Sequence, residues 1–286
     1  MTNPVTPARD SVGAALRFVR LQWRRIGLIA LVAAAAAAAI NLASLGAGAP
    51  LSLVIALVST LIQAGIYAAL LGASLAPSAP PRSIVGNTGR VWAAMLIVGF
   101  MLVLAMLVLA LPLGVVLGPY LQPYAQQIVA AHGDQAAFMP LLERFSEQQP
   151  GVFLGIFFAV AAVWLLLSSR FFLAAPASVD AKRIQTFETW PWTKNNMLRI
   201  TVARIVLLGP ALVFAQTLSI LSARALGFDM LQGGDIAAFA ARNPAAFIAF
   251  SFAQQFVLVL VYNSLEAGLA ASFYRALKPA APPRPV

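Results

Sequence analysis

The chain contains no cysteine and a single histidine, His132. Without cysteine it has no disulfide, no thiolate metal site and no cysteine nucleophile. One histidine does not supply a histidine-based metal centre, nor a set of serine, histidine and acid on one face. Paired-histidine zinc motifs and phosphate-binding loops are also missing from the sequence. We therefore expect no metal and no cofactor, and nothing in the residues argues for an enzyme.

Charged residues are scarce. They make up 10% of the 286 residues, whereas 61% are hydrophobic. An ordinary soluble domain has about 25% charged residues, so a water-soluble globule is excluded. The 19 lysines and arginines outnumber the nine acids and give a formal net charge of +10. Because these charges lie between apolar segments, they predict membrane topology, and we expect no nucleic-acid partner.

Long apolar runs are the main feature of the sequence. Six of them are at least about as long as the 20 residues that cross a bilayer as a helix. They are residues 26–45, 51–75, 91–117, 151–175, 198–221 and 245–272. Backbone groups in hydrocarbon must bond within the segment, and the period-two alternation of a membrane barrel is absent. The predicted fold class is all-α, a polytopic integral membrane bundle of six transmembrane helices.

The first apolar run also has features of a secretory signal peptide. It contains seven consecutive alanines at 33–39, followed by small residues at 46–49. However, the run is longer than the 7–15 apolar residues of a signal peptide, and Pro50 would directly follow the cleavage site. We therefore interpret it as a transmembrane helix. The chain then divides into a basic amphipathic segment at 1–25, a transmembrane domain at 26–277 and a proline-rich tail at 278–286.

Lysine and arginine alternate between the two sides of the predicted bundle. One side carries Arg9, Arg17, Arg20, Arg24, Arg25, Arg82, Arg90, Arg170, Lys182, Arg183, Lys194, Arg199, Arg204, Arg275, Lys278 and Arg284, and the other carries Arg144, Arg224 and Arg242. Cytoplasmic loops are enriched in these residues. The alternation therefore predicts a multi-pass protein with both termini in the cytoplasm.

Two segments outside the spans have amphipathic patterns. Residues 11–23 place Val12, Leu16, Val19 and Trp23 at helical spacing, which is typical of an interfacial helix. This helix could anchor the topology, attract anionic lipid headgroups, or do both. Residues 139–148 in the largest outer loop predict a second short amphipathic helix.

Polar residues inside the spans form one group of candidates. Gln63 and Gln254 fall near the membrane midplane and could meet, whereas Arg170 and Glu266 lie near the inner ends of their spans and could pair or snorkel. The candidates for intramembrane contacts are Gln63, Tyr67, Arg170, Gln254, Gln255 and Glu266. Hydrogen bonds between helices are the simpler interpretation, and a substrate path is the alternative.

The connection between the fourth and fifth spans, residues 177–199, is the most distinctive surface, and we refer to it as the basic Trp loop. The candidates for binding a lipid or a partner are Lys182, Arg183, Trp190, Trp192, Lys194 and Arg199. Basic residues beside tryptophan suit the inner headgroup layer, so the expected partners are membrane lipids, preferably anionic. An aromatic belt combined with topology charges is the alternative interpretation.

The segments around this loop resemble a known family. They are RFFLAAPA at 170–177, FETWPWTKNNMLRI at 187–200 and SFYRAL at 272–277. The pattern is similar to that of uncharacterised six-helix bacterial inner-membrane proteins related to the membrane domain that accompanies some glycerophosphodiester phosphodiesterases. Thr189 and Asn195 stand where the family usually has serine and glycine. The resemblance implies a bacterial inner (plasma) membrane protein, and it carries over no catalytic residue because the phosphodiesterase chemistry belongs to a separate domain.

Three functions remain open at this point. The first is a non-enzymatic membrane component with a role in envelope or lipid homeostasis, which binds anionic lipid or a partner through the basic Trp loop. The second is a small-solute or lipid transporter, which predicts that Gln63, Tyr67, Gln254 and Gln255 line one midplane cavity. The third is an enzyme acting on lipid headgroups, which predicts clustered polar residues at one interface beside a lateral opening. A homo-oligomer or a membrane protein partner is compatible with each of them.

Overall fold

The computed structural model of the protein describes residues 8–44, 48–76, 83–130, 135–230 and 233–279. Within these ranges the chain forms helices and no strand, which confirms the all-α fold class. The α-helices are α1 (Ala8–Leu21), α2 (Trp23–Ser44), α3 (Ala49–Leu75), α4 (Ser83–Leu121), α5 (Ala125–Ala130), α6 (Gln135–Gln148), α7 (Pro150–Arg170), α8 (Ala174–Asp180), α9 (Trp190–Thr193), α10 (Met197–Ala225), α11 (Gly233–Arg242), α12 (Pro244–Val257) and α13 (Ser264–Leu277). Two short 3-10 helices cover Gln122–Tyr124 and Phe187–Thr189, and a π-helical stretch, Leu258–Asn263, joins α12 to α13.

Six helical stretches among these residues are long and apolar enough to cross a membrane. They are Trp23–Ser44, Pro50–Leu75, Ile84–Val129, Pro150–Asp180, Met197–Ala225 and Pro244–Leu277. Each of the six predicted segments falls on one of them, apart from Leu45, which lies outside the described residues. The prediction of a multi-pass helical membrane protein is therefore confirmed. Also outside the described residues are Arg82, His132, Arg284 and most of the tail.

The fourth span differs from its prediction near its end. Residues 151–175 were expected to form one helix, but α7 ends at Arg170 and a new helix, α8, begins at Ala174. Pro176 explains the break, because it has no N–H to bond to the preceding turn of a continuous helix. In the observed arrangement Pro176 lies in the first turn of α8, where no such bond is needed.

The chain forms two compact units, one comprising residues 1–97 and 169–286 and the other residues 98–168. In the first unit, α2 packs along α12. Ala30, Ala33 and Ala34 are each at most 1% exposed. Small side chains allow two helix backbones to approach closely, which is how helices associate in lipid. One face of the alanine run is therefore a packing surface.

The amino-terminal helix α1 packs against α13, also in the first unit. Its buried face contains Ser11 and Ala15, and Val12 and Val19 of the predicted apolar face pack against the core. Leu16 is 50% exposed, and Trp23, which lies at the start of α2, is 61% exposed. The contact depends on Gly268 of α13, since a Cβ atom there would lie 2.9 Å from Cδ1 of Phe18 and 3.1 Å from Cα of Ala15. α1 is therefore part of the packed unit and not only a surface segment.

The second unit contains the carboxyl-terminal part of α4, helices α5 and α6, and most of α7. Helix α6 includes the amphipathic segment predicted at 139–148. It is joined to the preceding turn by a hydrogen bond from the Tyr124 hydroxyl to Oε1 of Gln148. The ring of Tyr124 also meets Phe145 edge-on, with centroids 6.2 Å apart.

Candidate functional site

The basic Trp loop begins inside the core of the first unit. Residues 171–179 are all buried, so the start of the loop does not lie on the surface. The Oγ atom of Ser178 donates to the carbonyl of Ala174 at 2.7 Å and accepts a 2.9 Å hydrogen bond from the backbone N–H of Gln185. One buried hydroxyl group therefore holds both ends of the turn at 178–185.

Lys182 lies at the tip of this turn with a φ angle of +53°, in the left-handed region. This conformation is uncommon for residues other than glycine, asparagine and aspartate. It reverses the chain after α8, and the Lys182 side chain is exposed. The turn therefore presents a lysine where a glycine would give less strain.

Buried threonines hold the second half of the loop. Thr189 and Thr193 are both fully buried. The hydroxyl of Thr189 donates to the carbonyl of Thr186 at 2.7 Å, and that of Thr193 donates to the carbonyls of Trp190 at 3.0 Å and Arg170 at 3.2 Å. Because these buried polar groups are satisfied within the protein, they order the loop and fix it to the end of α7.

An apolar surface is exposed on this frame. Phe187 and Trp190 are 53% and 39% exposed, although each contacts the buried ring of Phe171. The ring centroids lie 6.2 Å apart for Phe171 and Phe187 and 5.1 Å apart for Phe171 and Trp190. The guanidinium group of Arg170 lies 5.2 Å from the centroid of the Trp190 ring. The two exposed aromatic rings are therefore neighbours, and an arginine lies against one of them.

The structure separates the six predicted binding residues into two groups. Lys182, Arg183, Lys194 and Trp190 are exposed. By contrast, Trp192 is half-buried and packs against the core, with its ring 6.2 Å from that of Tyr274. Arg199 is also half-buried, and its Nη1 atom donates to Oδ1 of Asn196 at 3.3 Å. The two tryptophans that flank Pro191 therefore have different surroundings.

Sequence reasoning missed the contact that ties the loop to α13. The hydroxyl of Tyr274 donates to Oδ2 of Asp180 at 2.7 Å, and Lys278 forms an ion pair with the same carboxylate. The signal was present in the sequence, since Asp180 is an isolated acid two residues before the basic pair Lys182 and Arg183. Because Lys278 is paired, it adds less free positive charge to this surface than its position suggests.

The midplane glutamines are arranged differently from the expectation. Gln63 accepts a 3.4 Å hydrogen bond from Nε2 of Gln255, not from Gln254. Gln254 lines a separate cavity of about 110 Å³ together with Ser219 and Ser222. The structure therefore joins α3 to α12 through Gln255 and leaves Gln254 facing α10.

Arg204 is the centre of a polar cluster inside the first unit. Its Nη1 atom donates to Oγ of Ser169 at 2.9 Å, and its guanidinium group lies 5.0 Å from the ring centroid of Phe172. Thr201 also donates to Oγ of Ser169, at 3.0 Å. Glu266 and Tyr67, both predicted as intramembrane contacts, interact electrostatically with Arg204. Glu266 therefore interacts with Arg204, and the guanidinium group of Arg170 lies over the ring of Trp190.

No group of three or more histidine, aspartate or glutamate side chains is placed to hold a metal ion in the described part of the chain. Comparisons with protein-family models, with curated proteins and with solved structures find no match.

Proposed function

We propose that the protein is a non-enzymatic multi-pass protein of the bacterial inner membrane that binds anionic lipid through the basic Trp loop. Both termini are cytoplasmic in this proposal, and its role lies in envelope or lipid homeostasis. The proposal also includes a relation to the six-helix inner-membrane family that the sequence resembles. The observation that carries it is the exposure of Phe187 and Trp190 on the same short loop as Lys182, Arg183 and Lys194.

This combination suits the headgroup layer for two physical reasons. Tryptophan prefers the membrane–water interface, where its apolar ring leaves water while its N–H stays near polar groups, and Phe187 adds apolar area beside Trp190. Each lysine or arginine close to an anionic surface contributes about 1 kcal/mol of attraction. The two acids of the loop do not cancel this charge, because Asp180 is paired with Lys278 and Glu188 alone is outnumbered by the basic residues of the loop.

The geometry supports a transporter less well than it supports a lipid-binding protein. A transport path predicts that the polar midplane residues share one cavity. Instead Gln63 is bonded to Gln255, and Gln254 lines a cavity of about 110 Å³. At about 30 Å³ per water molecule, this volume holds only a few waters. We therefore favour lipid binding over solute passage.

Lipid retention tests the proposal. The protein is reconstituted with phosphatidylglycerol and phosphatidylcholine in equal amounts and extracted into mild detergent, and the retained lipids are counted by native mass spectrometry. We expect selective retention of phosphatidylglycerol, and we expect the triple variant Lys182→Gln, Arg183→Gln, Lys194→Gln to lower it at least tenfold. Three charges at about 1 kcal/mol each allow a larger loss.

A matched control removes the same charge elsewhere. Arg17, Arg20 and Arg24 are also exposed, so the triple glutamine variant at these positions changes the net charge equally. Because the amino-terminal amphipathic segment is the other surface that could attract anionic lipid, this control compares the two surfaces, and the proposal requires it to keep its phosphatidylglycerol. An equal loss in both variants would show a general charge effect, and no loss in the loop variant would refute lipid binding at this loop.

A further inference from the structure

A large apolar cavity lies within the second unit, at residues that the proposed function does not use. It has a volume of about 710 Å³, within the 300–1,000 Å³ that is usual for ligand pockets. Its walls come from α4, α5, α6 and α7, and they include Leu113, Leu117, Ile128, Leu142, Phe153 and Val160. No lining side chain is charged. The cavity therefore suits a ligand that consists of hydrocarbon.

The cavity is long and narrow. Its lining residues on α4 extend from Met106 to Leu121. At 1.5 Å per residue this stretch is about 22 Å long. Distributed along that length, the volume of about 710 Å³ corresponds to a cross-section of about 30 Å². A helix with its side chains is 10–12 Å across, so a helix of a second copy does not fit. A single polymethylene chain does, because its carbon atoms pack against their neighbours at 3.5–4.0 Å.

The ends of the cavity differ in polarity. At one end lie Tyr124, Leu141 and Phe145, and the hydroxyl of Tyr124 is hydrogen bonded to Gln148. Helix α6 buries Leu141 and Phe145 on this side, whereas its charged residues Glu143 and Arg144 are exposed. The other end, near Met106, is deep in the most apolar span of the chain. An amphiphile would therefore place its polar group near α6 and its chain end near Met106.

Water is a poor occupant of such a space. A dry engineered cavity of only about 150 Å³ already binds small hydrocarbons, because water finds no hydrogen-bond partners there. Phe157 and Trp164 line the cavity and are nevertheless 57% and 44% exposed, so it opens to the side. Both residues lie in a membrane-spanning helix, where the surrounding medium is lipid. The bilayer itself is therefore the source of the occupant.

We propose that this cavity binds one acyl chain of a membrane phospholipid, with the headgroup near α6. The site is independent of the basic Trp loop and does not rest on the proposed function. It would hold one lipid through dispersion contacts along α4 and α7 and through exclusion from water.

Photolabelling tests the proposal with the full chain. The probe is a phosphatidylcholine that carries a diazirine near the end of a 16-carbon acyl chain. After reconstitution, the protein is extracted and washed in detergent so that loosely bound lipid leaves, then irradiated and mapped by mass spectrometry. We expect adducts on lining residues such as Met106, Leu109 and Trp164. Adducts spread equally over the outward face of α4, for example at Val108 and Val115, would overturn the proposal.

Two neighbouring alanines provide matched variants. Ala161 lines the cavity, whereas Ala162 is exposed and does not line it. Ala161→Phe should lower the retained label at least fivefold, and Ala162→Phe should leave it unchanged. If Ala161→Phe fails to fold in a thermal unfolding assay, Ala110→Leu on the opposite wall makes the same test. Unchanged labelling in a folded cavity variant would refute the site.

Two further experiments distinguish the proposed phospholipid site from a fatty-acid site and from a site that depends on the basic Trp loop. A diazirine-bearing 16-carbon fatty acid that labels the cavity when the phospholipid probe does not would overturn the assignment to a phospholipid. The triple glutamine variant of the basic Trp loop should retain the cavity label in full, because its substitutions lie in the other unit. A parallel loss of label in that variant would show that the cavity is not an independent site.

Discussion

The hydroxyl of Tyr274 donates a 2.7 Å hydrogen bond to Oδ2 of Asp180 and joins the last turns of α13 to the end of α8. Lys278 forms an ion pair with the same carboxylate, and the ring of Tyr274 contacts Trp192. The exposed part of the basic Trp loop begins at Asp180. Its position is therefore determined by residues that lie about 90 positions later in the sequence.

Tyr274→Phe should loosen this loop without unfolding the protein. It removes one hydrogen bond, which contributes about 1 kcal/mol on average, and keeps the ring against Trp192. We expect faster amide hydrogen exchange at 181–189 and slightly lower thermal stability in detergent. Tyr120→Phe, at an exposed position in the other unit, is the control. Unchanged exchange at 181–189 would contradict a positioning role for Tyr274.

Gly268→Ala should destabilise the packing of α1 on α13. The new Cβ atom would lie 2.9 Å from the ring of Phe18 and 3.1 Å from the backbone of Ala15, so α1 must shift. Overpacking of this kind costs about 1–3 kcal/mol. Thermal unfolding and the protease sensitivity of the amino-terminal segment would report the change.

The control for Gly268 is another helical glycine. At Gly72 a Cβ atom would meet nothing within 4 Å, so Gly72→Ala removes backbone freedom without a clash. We expect that variant to be neutral or more stable by up to about 1 kcal/mol. If both substitutions had the same effect, the close approach of α1 to α13 would not limit stability.

The contact between Ser169 and Arg204 should show energetic coupling. A hydrogen bond to a charged group contributes about 1.5–3 kcal/mol, and this one lies among buried side chains of the first unit. In a double-mutant cycle of Ser169→Ala and Arg204→Gln, we expect a coupling of about 1–2 kcal/mol. Ser168→Ala is the control, because the Ser168 hydroxyl donates within its own helix to the carbonyl of Leu165. Coupling of equal size in the control cycle would show that the effect is not specific to Ser169.

Gln255→Leu and Gln254→Leu should differ although the residues are adjacent. Gln255 bonds to Gln63 on another helix, and such contacts in membranes contribute about 0.6 kcal/mol on average. We therefore expect Gln255→Leu to lower stability slightly and Gln254→Leu to leave it unchanged or raise it. A solute flux assay that responded to Gln254→Leu but not to Gln255→Leu would favour the transporter instead.

The number of membrane-spanning helices could be predicted because it depends on local composition. A span needs about 20 apolar residues in a row, and hydrocarbon forces them into a helix, so no knowledge of neighbours is required. Where packing decides an element, the prediction was less accurate. The packing face of α1, for example, depends on Gly268 of a different helix. The break at Phe171 to Leu173 is a separate case, because its cause, Pro176, is local and was missed in the sequence.

The sequence predicted where the candidate site lies in the chain, but it did not predict which of its side chains are exposed. Clustered lysine, arginine and tryptophan marked the region of 177–199 because such residues favour the membrane interface. Nothing local distinguished Trp190, which remains exposed, from Trp192, which packs near Tyr274. Likewise, helical geometry placed Gln254 and Gln255 at the same depth, and only the rotation of α12 decided which of them meets Gln63.

By itself, the sequence determined the helical class, the six spans and the position of the basic Trp loop, because each follows from the solvation of a single segment. The tertiary structure decided the partners: Asp180 with Tyr274, Arg204 with Ser169, and the cavity of about 710 Å³ between residues of α4 and α7. Contacts of this kind depend on helix rotation and separation. Helix rotation and separation are set by how side chains from distant parts of the chain fit together, and no local pattern encodes them.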